Sequence, residues 1–124
     1  MELRDAPAIA FLATVDPVRA RSFYEGVLGL RILEDSPFAL VTRAGPTMIR
    51  IQKVESFSPH PFTALGFEVV DIGAAIRGLA EKGVVFERYG FMQQDELGVW
   101  SAPGGAKIAW FKDPDGNTLS LSQF

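Results

Sequence analysis

The chain has 124 residues, no cysteine and a formal net charge of −3 at pH 7. The lack of cysteine excludes disulfides, thiolate metal sites and catalysis by a thiol. The acidic balance offers no basic surface for nucleic acid, and no apolar run approaches the roughly 20 residues of a membrane span. We therefore expect a single cytoplasmic domain over residues 1–124, because the first residues also lack the apolar segment of a signal peptide.

The first half of the chain begins with a predicted strand, AIAFLATVD at 8–16, and continues into a predicted helix. Asp16 is a suitable N-cap, Pro17 suits the first helical turn, and Gly29 suits the left-handed position that ends a helix. Apolar residues recur between them at three- and four-residue spacing, which is typical of an amphipathic helix. Three strand candidates follow, at 30–34, 37–43 and 47–54.

The same order of elements recurs in the second half. The segment TALGFEVVD at 63–71 is again strand-like and ends at Asp71, a helical stripe of apolar residues follows, and Gly83 ends it. Three further strand candidates lie at 84–89, 106–112 and 117–122. The last two are joined by the turn sequence DPDG, in which Pro114 presets φ and Gly116 takes a positive φ. Each half therefore reads β-α-β-β-β.

The repeat divides the chain into module one at 7–54, a Pro-containing linker at 55–62 and module two at 63–124. A small sheet with one helix leaves its second face uncovered, so that face requires the other module, another chain or a ligand. Two curved sheets set side by side would leave a concave surface, the usual shape of a small-molecule site. The residues leave open whether the modules pair within one chain or across a dimer.

Three features of the chain resemble one known family. They are the string Asp16…Phe23-Tyr24…Leu28-Gly29-Leu30, the internal duplication, and DPDGN at 113–117 before the last strand. The chain resembles the vicinal oxygen chelate superfamily, which includes glyoxalase I, extradiol dioxygenases, fosfomycin-resistance enzymes and bleomycin-resistance proteins. The resemblance implies an α+β fold in which two βαβββ modules form a curved mixed sheet around a concave cleft, with the helices on the outer face. It also implies a homodimer, because members often complete their clefts by pairing.

The resemblance further implies where a metal ion would lie. Metal-dependent members hold a divalent ion with four side chains, and the matching positions in this chain are Ile9, Arg50, Ala64 and Ser120. Two hydrocarbons, a permanent cation and a neutral hydroxyl cannot hold a catalytic divalent ion. At ~4 Å the guanidinium would repel such an ion by about 8 kcal/mol at an effective dielectric near 20. We therefore expect neither a metal nor another cofactor.

No other cluster in the sequence supplies a metal site or a catalytic constellation. His60 is the only histidine and lies between two prolines of the linker, while Asp95 and Glu96 lie in a predicted loop. We interpret all three as solvated residues. Glu68 could act as a general base only if burial raised its pKa. The sequence therefore identifies no catalytic residue.

The predicted cleft presents an arginine where relatives hold a metal. Strand alternation places Ile49 and Ile51 beneath the helix and Arg50 on the cleft side. Its five donors and fixed charge suit a carboxylate, phosphate or enolate. The predicted ligand-binding residues are Arg50, Gln52, Glu68, Ser120, Phe11, Met48 and Trp100. The alternative is that Arg50 pairs with Glu68 and that neighbouring side chains fill the room left by the small residues.

Two apolar features remain without an assigned position. The connection 90–105 contains Phe91, Met92 and Trp100, which either cover the cleft, pack against a partner or cap the end of the sheet. Trp110 faces either the helix or the cleft.

Three hypotheses for function follow. The first is a glyoxalase- or bleomycin-resistance-like protein without a metal, which binds or sequesters a small, anionic organic molecule. The second is a metal-dependent lyase, isomerase or dioxygenase with non-standard ligands. The third is a dimeric interaction module without a ligand.

Overall fold

The computed structural model describes residues 1–124 and divides into two units, Met1–Ser58 and Pro59–Phe124. Each unit contains one four-stranded mixed sheet and one main helical segment, in the order β-α-β-β-β. This confirms the α+β fold with two βαβββ modules. The boundary between the units lies inside the predicted linker 55–62, and the expectation that both modules form a single domain stays a prediction.

The strands and helices follow the repeat. The first unit contains a 3-10 turn (Leu3–Asp5), β1 (Ile9–Thr14), α1 (Pro17–Arg21), a π-helix (Ser22–Val27), β2 (Glu34–Asp35), β3 (Ala39–Ala44) and β4 (Thr47–Lys53). The second unit contains β5 (Thr63–Glu68), α2 (Ile72–Glu81), β6 (Trp100–Ser101), β7 (Lys107–Lys112) and β8 (Thr118–Gln123). The sheet orders are β1-β4-β3-β2 and β5-β8-β7-β6. In each sheet the first two strands of that order pair in parallel and the others pair antiparallel.

The first helical segment begins and ends where the sequence predicts. The Asp16 carboxylate accepts a hydrogen bond from the Arg19 N–H at 3.2 Å, and Gly29 ends the segment with φ +74°. The second part is a π-helix, which the sequence did not predict, and the Leu28 N–H accordingly bonds the Phe23 carbonyl five residues back. The wider turn still buries Phe23 and its neighbour Tyr24.

The core of the first unit lies on one face of its sheet. Strand alternation sends Leu12, Leu40, Ile49 and Ile51 to this face, where each is at most 5% exposed. The predicted position of the two isoleucines is therefore confirmed. Arg50, between them in sequence, projects to the opposite face.

The core of the second unit is built in the same way. Helix α2 buries Ile72 and Ile76, and its N-cap Asp71 accepts a hydrogen bond from the Ala74 N–H at 3.0 Å. The Gln123 side chain accepts a second bond, from the Ile72 N–H at 2.9 Å, and so joins the helix start to β8. The sheet contributes its own buried residues, namely Ala109, Phe111, Leu119 and Leu121.

Two predicted strands are wrong in part or in whole. In the segment 30–34 only Glu34 pairs, as the start of β2, and the segment 84–89 forms no strand. The outer strand of the second sheet is β6, inside the connection 90–105. The physical reason is competition by a side chain, because Gln94 binds the Tyr89 N–H and the Glu87 carbonyl that a ladder would use.

The predicted turn before β8 is confirmed. The Gly116 N–H bonds the Asp113 carbonyl at 3.0 Å, and Gly116 has φ +89°. The buried Asp113 carboxylate accepts bonds from the Asp115 and Asn117 N–H groups and from the Asn117 side chain. This network aligns the start of the final strand.

Candidate functional site

The first sheet face is the side of β1, β3 and β4 that points away from the core of the first unit. Register and alternation place on it Ile9, Phe11, Ala13, Ala39, Val41, Arg43, Met48, Arg50 and Gln52. Four of the predicted ligand-binding residues, Phe11, Met48, Arg50 and Gln52, are thus neighbours on one surface. Phe11 is 56% exposed, so the β1 side of this face is open to a ligand within the first unit, whereas Ala39 and Val41 on β3 are buried.

Arg50 lies at the middle of this face. It is paired with Phe11 on β1 and with Val41 on β3, and its side chain is half-buried. Arg50 takes part in none of the three ion pairs of the structure. A guanidinium beside apolar groups is a strong binding group for an oxyanion, because the poorly solvated charge interacts strongly.

The second sheet face is the corresponding side of β5, β8, β7 and β6. Gly66, Ser120 and Trp110 lie side by side across three strands, and Glu68 lies beside Ser122. A methyl group on Gly66 would stand 2.8 Å from the Ser120 hydroxyl oxygen. A side chain at position 66 would therefore require the Ser120 hydroxyl group to move.

Trp110 occupies the space above the small residues. Its indole N–H donates to the Thr63 hydroxyl at 3.1 Å, so the ring crosses β8 to reach β5. Ser120 is consequently only 6% exposed. Trp110 thus lies on the second sheet face, where its ring fills the space above Ser120, as the alternative of filled room expected. A bulge between Thr63 and Leu65 gives Thr63, rather than Ala64, the place opposite Thr118.

Trp110 is the centre of an aromatic cluster formed with Tyr89, Phe91 and Trp100. Tyr89 meets Trp110 edge to face at 5.6 Å between ring centroids, and Trp100 lies 6.2 Å from Trp110. Phe91 contacts Tyr89 at 5.7 Å and is 82% exposed. Burial, with a smaller contribution from Glu87, raises the pKa of Tyr89, so the phenol stays neutral at physiological pH. Sequence reasoning identified Trp100 but missed Tyr89, because that residue was assigned to a strand.

The residues present do not fit the divalent metal that some relatives hold. The matching side chains, Ile9, Arg50, Ala64 and Ser120, include no carboxylate, imidazole or thiolate. No group of three or more His, Asp or Glu side chains in the structure could hold a metal ion. The Asp95 carboxylate caps the Leu97 and Val99 N–H groups.

An ion-pair network lies on the other side of the first unit. Asp35 pairs with Lys53 and, at 2.9 Å, with Arg21, and these residues line a depression of about 350 Å³ beside α1. Lys53 and then Arg21 lower the pKa of Asp35, while Asp35 and then Glu25 raise that of Arg21. Arg21, Glu25 and Asp35 are substantially exposed while Lys53 is half-buried, and we assign the network to stability rather than to binding.

The structure contains no helix with the length and apolar character required to cross a membrane. The cytoplasmic location stays a prediction from the sequence.

Solved structures of known proteins share this fold. The chain is similar to lactoylglutathione lyase from Agrobacterium tumefaciens, with 17% identity, a TM-score of 0.75 and coverage of 96% of this chain and 93% of that one. It is similar to a bleomycin resistance determinant encoded on the transposon Tn5, with 22% identity, a TM-score of 0.74 and coverage of 94% of this chain and 95% of that one. The chain is also similar to TnmS3, an antibiotic-binding protein from Streptomyces sp. CB03234, with 21% identity, a TM-score of 0.70 and coverage of 96% of this chain and 95% of that one.

The sequence itself places the chain in a family. No curated protein matches it. Residues 7–121, however, match a protein-family model. The chain therefore belongs to the Glyoxalase/Bleomycin resistance protein/Dioxygenase superfamily.

Proposed function

We propose that this protein binds or sequesters a small organic anion that also carries a planar, aromatic part, and that it does so without a metal ion. The predicted ligand-binding residues are kept in this proposal, with Arg50 and Gln52 as the polar groups of the first sheet face. Glu68, Ser120 and Trp100 serve on the second sheet face, to which the structure adds Trp110 and Tyr89. The observation that carries the proposal is the unpaired guanidinium of Arg50 among apolar neighbours.

The charge of the ligand is inferred from Arg50. A half-buried guanidinium without an ion pair is partly desolvated, and a carboxylate or phosphate can restore two parallel hydrogen bonds to it. Gln52 lies two residues along the same strand and offers a donor and an acceptor for a second polar group. Phe11 and Met48 supply apolar contact on either side.

The planar part of the ligand is inferred from the aromatic cluster. Trp100 and Trp110 are only partly buried, and exposed aromatic rings bind planar groups by offset stacking or edge contact. Ser120 is nearly covered by Trp110, so its proposed contribution is a single hydrogen bond at the edge of the indole. Glu68 is exposed and would accept a bond from a donor group of the ligand.

Calorimetric titration with 2-naphthoate and with the neutral 2-naphthylmethanol tests this proposal. We expect Arg50→Ala to weaken naphthoate binding by roughly tenfold or more, as for a lost charged hydrogen bond, and to leave naphthylmethanol binding unchanged. Arg43→Ala is the matched control, because Arg43 lies on the same face and donates only to the Pro46 carbonyl. Equal losses for both compounds, or for both variants, would refute the role of Arg50.

A further inference from the structure

The segment 87–98 begins inside the predicted strand 84–89, which does not form. The Gln94 side chain takes hydrogen bonds that a strand ladder would use there. The Gln94 amide donates to the Glu87 carbonyl at 2.9 Å and to the Gly98 carbonyl at 2.8 Å, and its oxygen accepts from the Tyr89 N–H at 2.8 Å. Two donors and one acceptor are thus matched to two carbonyls and one N–H. Among the natural side chains of this length, only a primary amide provides that set.

Gln94 is connected to both flanks of Trp110. Its side chain holds the backbone of Tyr89, and its own backbone pairs with Trp100 in an isolated β-bridge. Tyr89 and Trp100 are the two rings that contact Trp110 directly. A displacement of Gln94 would therefore move the rings on both sides of the central indole.

The rest of the segment supports a fixed geometry around Gln94. Arg88 donates to the carbonyls of Asp95 and Glu96, and the Asp95 carboxylate caps two N–H groups of the following turn. Gly98 has φ +90°, and a methyl group there would stand 3.4 Å from Cβ of Phe86. These side-chain bonds add to the backbone bonds of the segment, which include the Glu87 N–H to the Trp110 carbonyl at 2.8 Å and the Asp95 N–H to the Val99 carbonyl at 2.9 Å.

We propose that Gln94 is a positioning residue, which sets the spacing of the rings around Trp110 and thereby the affinity for a planar ligand. The affinity part rests on the proposed function, whereas the positioning part does not. Gln94 contacts no ligand in this proposal and acts through Tyr89 and Trp100.

The test compares Gln94→Met and Gln94→Glu with the matched controls Gln93→Met and Gln93→Glu. Gln93 is the exposed neighbour and has no part in these bonds. Both tryptophans of the chain lie in the aromatic cluster, so tryptophan emission and the tryptophan bands of the near-UV circular dichroism spectrum report on this cluster in the ligand-free protein. We expect both Gln94 variants to change these spectra at neutral pH, and to weaken 2-naphthylmethanol binding by roughly tenfold, as for the loss of buried hydrogen bonds. The Gln93 variants should match the wild type.

The Gln94→Glu variant adds a readout that a general loss of stability would not reproduce. A carboxylate facing the Glu87 and Gly98 carbonyls is repelled, and protonation returns one donor, so the wild-type spectrum should recover as the pH falls. The charged groups of the segment, Glu87, Arg88, Asp95 and Glu96, are also present in Gln93→Glu, which should show no such recovery.

Wild-type spectra and affinity within twofold for both Gln94 variants would overturn the proposal, and so would a pH response shared by Gln93→Glu. Altered ligand-free spectra together with no binding of either naphthalene probe by the wild type would support the positioning role and refute the proposed function instead.

Discussion

Gly66 and Ser120 face each other across β5 and β8, and their contact is close enough to be tested by a single methyl group. Gly66→Ala would bring Cβ to 2.8 Å from the Ser120 hydroxyl oxygen, so we expect a loss of roughly 1–3 kcal/mol in the free energy of unfolding. Urea denaturation measures this loss.

Gly78→Ala is the matched control for that substitution. Gly78 lies in α2, and no heavy atom stands within 4 Å of the added Cβ, so the free energy of unfolding should rise by about 0.5–1 kcal/mol. If both substitutions change the free energy of unfolding in the same direction, the close approach of β5 to Ser120 is refuted.

At the residue scale, strand alternation was sufficient to place Arg50. Two buried isoleucines flank it in sequence, and period two leaves only one side for the guanidinium. At Ala64 a bulge between Thr63 and Leu65 shifts the register, and sequence patterns do not reveal bulges. Strand alternation was also silent on Trp110, since KIAWF is apolar on both faces.

At the element scale, the ion-pair network ties α1 to β2 and β4. Asp35→Asn should lower the free energy of unfolding at neutral pH, because the pKa of Asp35 lies below its ordinary value of 3.8 in the folded protein. A depressed carboxyl pKa gives stability that is present above the ordinary value and lost as the pH falls through the folded-state value. The difference between wild type and variant should therefore vanish in acid.

Urea denaturation of both proteins across that pH range provides the measurement. Glu34→Gln, on the neighbouring residue of the same strand, is the control, because Glu34 takes part in none of the ion pairs. A deficit in Asp35→Asn that persists after Asp35 is protonated would contradict an electrostatic origin.

Helices and strands marked by residues inside or next to them were predictable. Those that depend on hydrogen-bond partners further along the chain were not. Both helices begin at an aspartate that caps them and end before a glycine with positive φ, as the sequence indicated. The segment 84–89 has the composition of a strand, but Gln94, five residues beyond its end, takes its hydrogen bonds. Strand β6 contains two residues, too few for any periodicity. The aromatic cluster depends on both features and could not be found from the sequence.

At the scale of the whole molecule, the repeat and the DPDGN motif were enough to identify the family. We propose that the protein is a homodimer. The exposed apolar side chains of Ile9 and Phe11 support this proposal, because a second copy of the chain would cover them. Size-exclusion chromatography with light scattering should give twice the chain mass of 13.5 kDa. A mass equal to one chain at micromolar concentration would contradict this prediction.

We propose that the protein binds an aromatic anion without a metal. The test is to measure the affinity of the protein for 2-naphthoate before and after treatment with a chelator. The residues that the resemblance matches to metal-ligand positions cannot hold a divalent ion, so we expect saturable binding with the same Kd in both preparations. Binding that disappears with the chelator and returns with a divalent cation would contradict it.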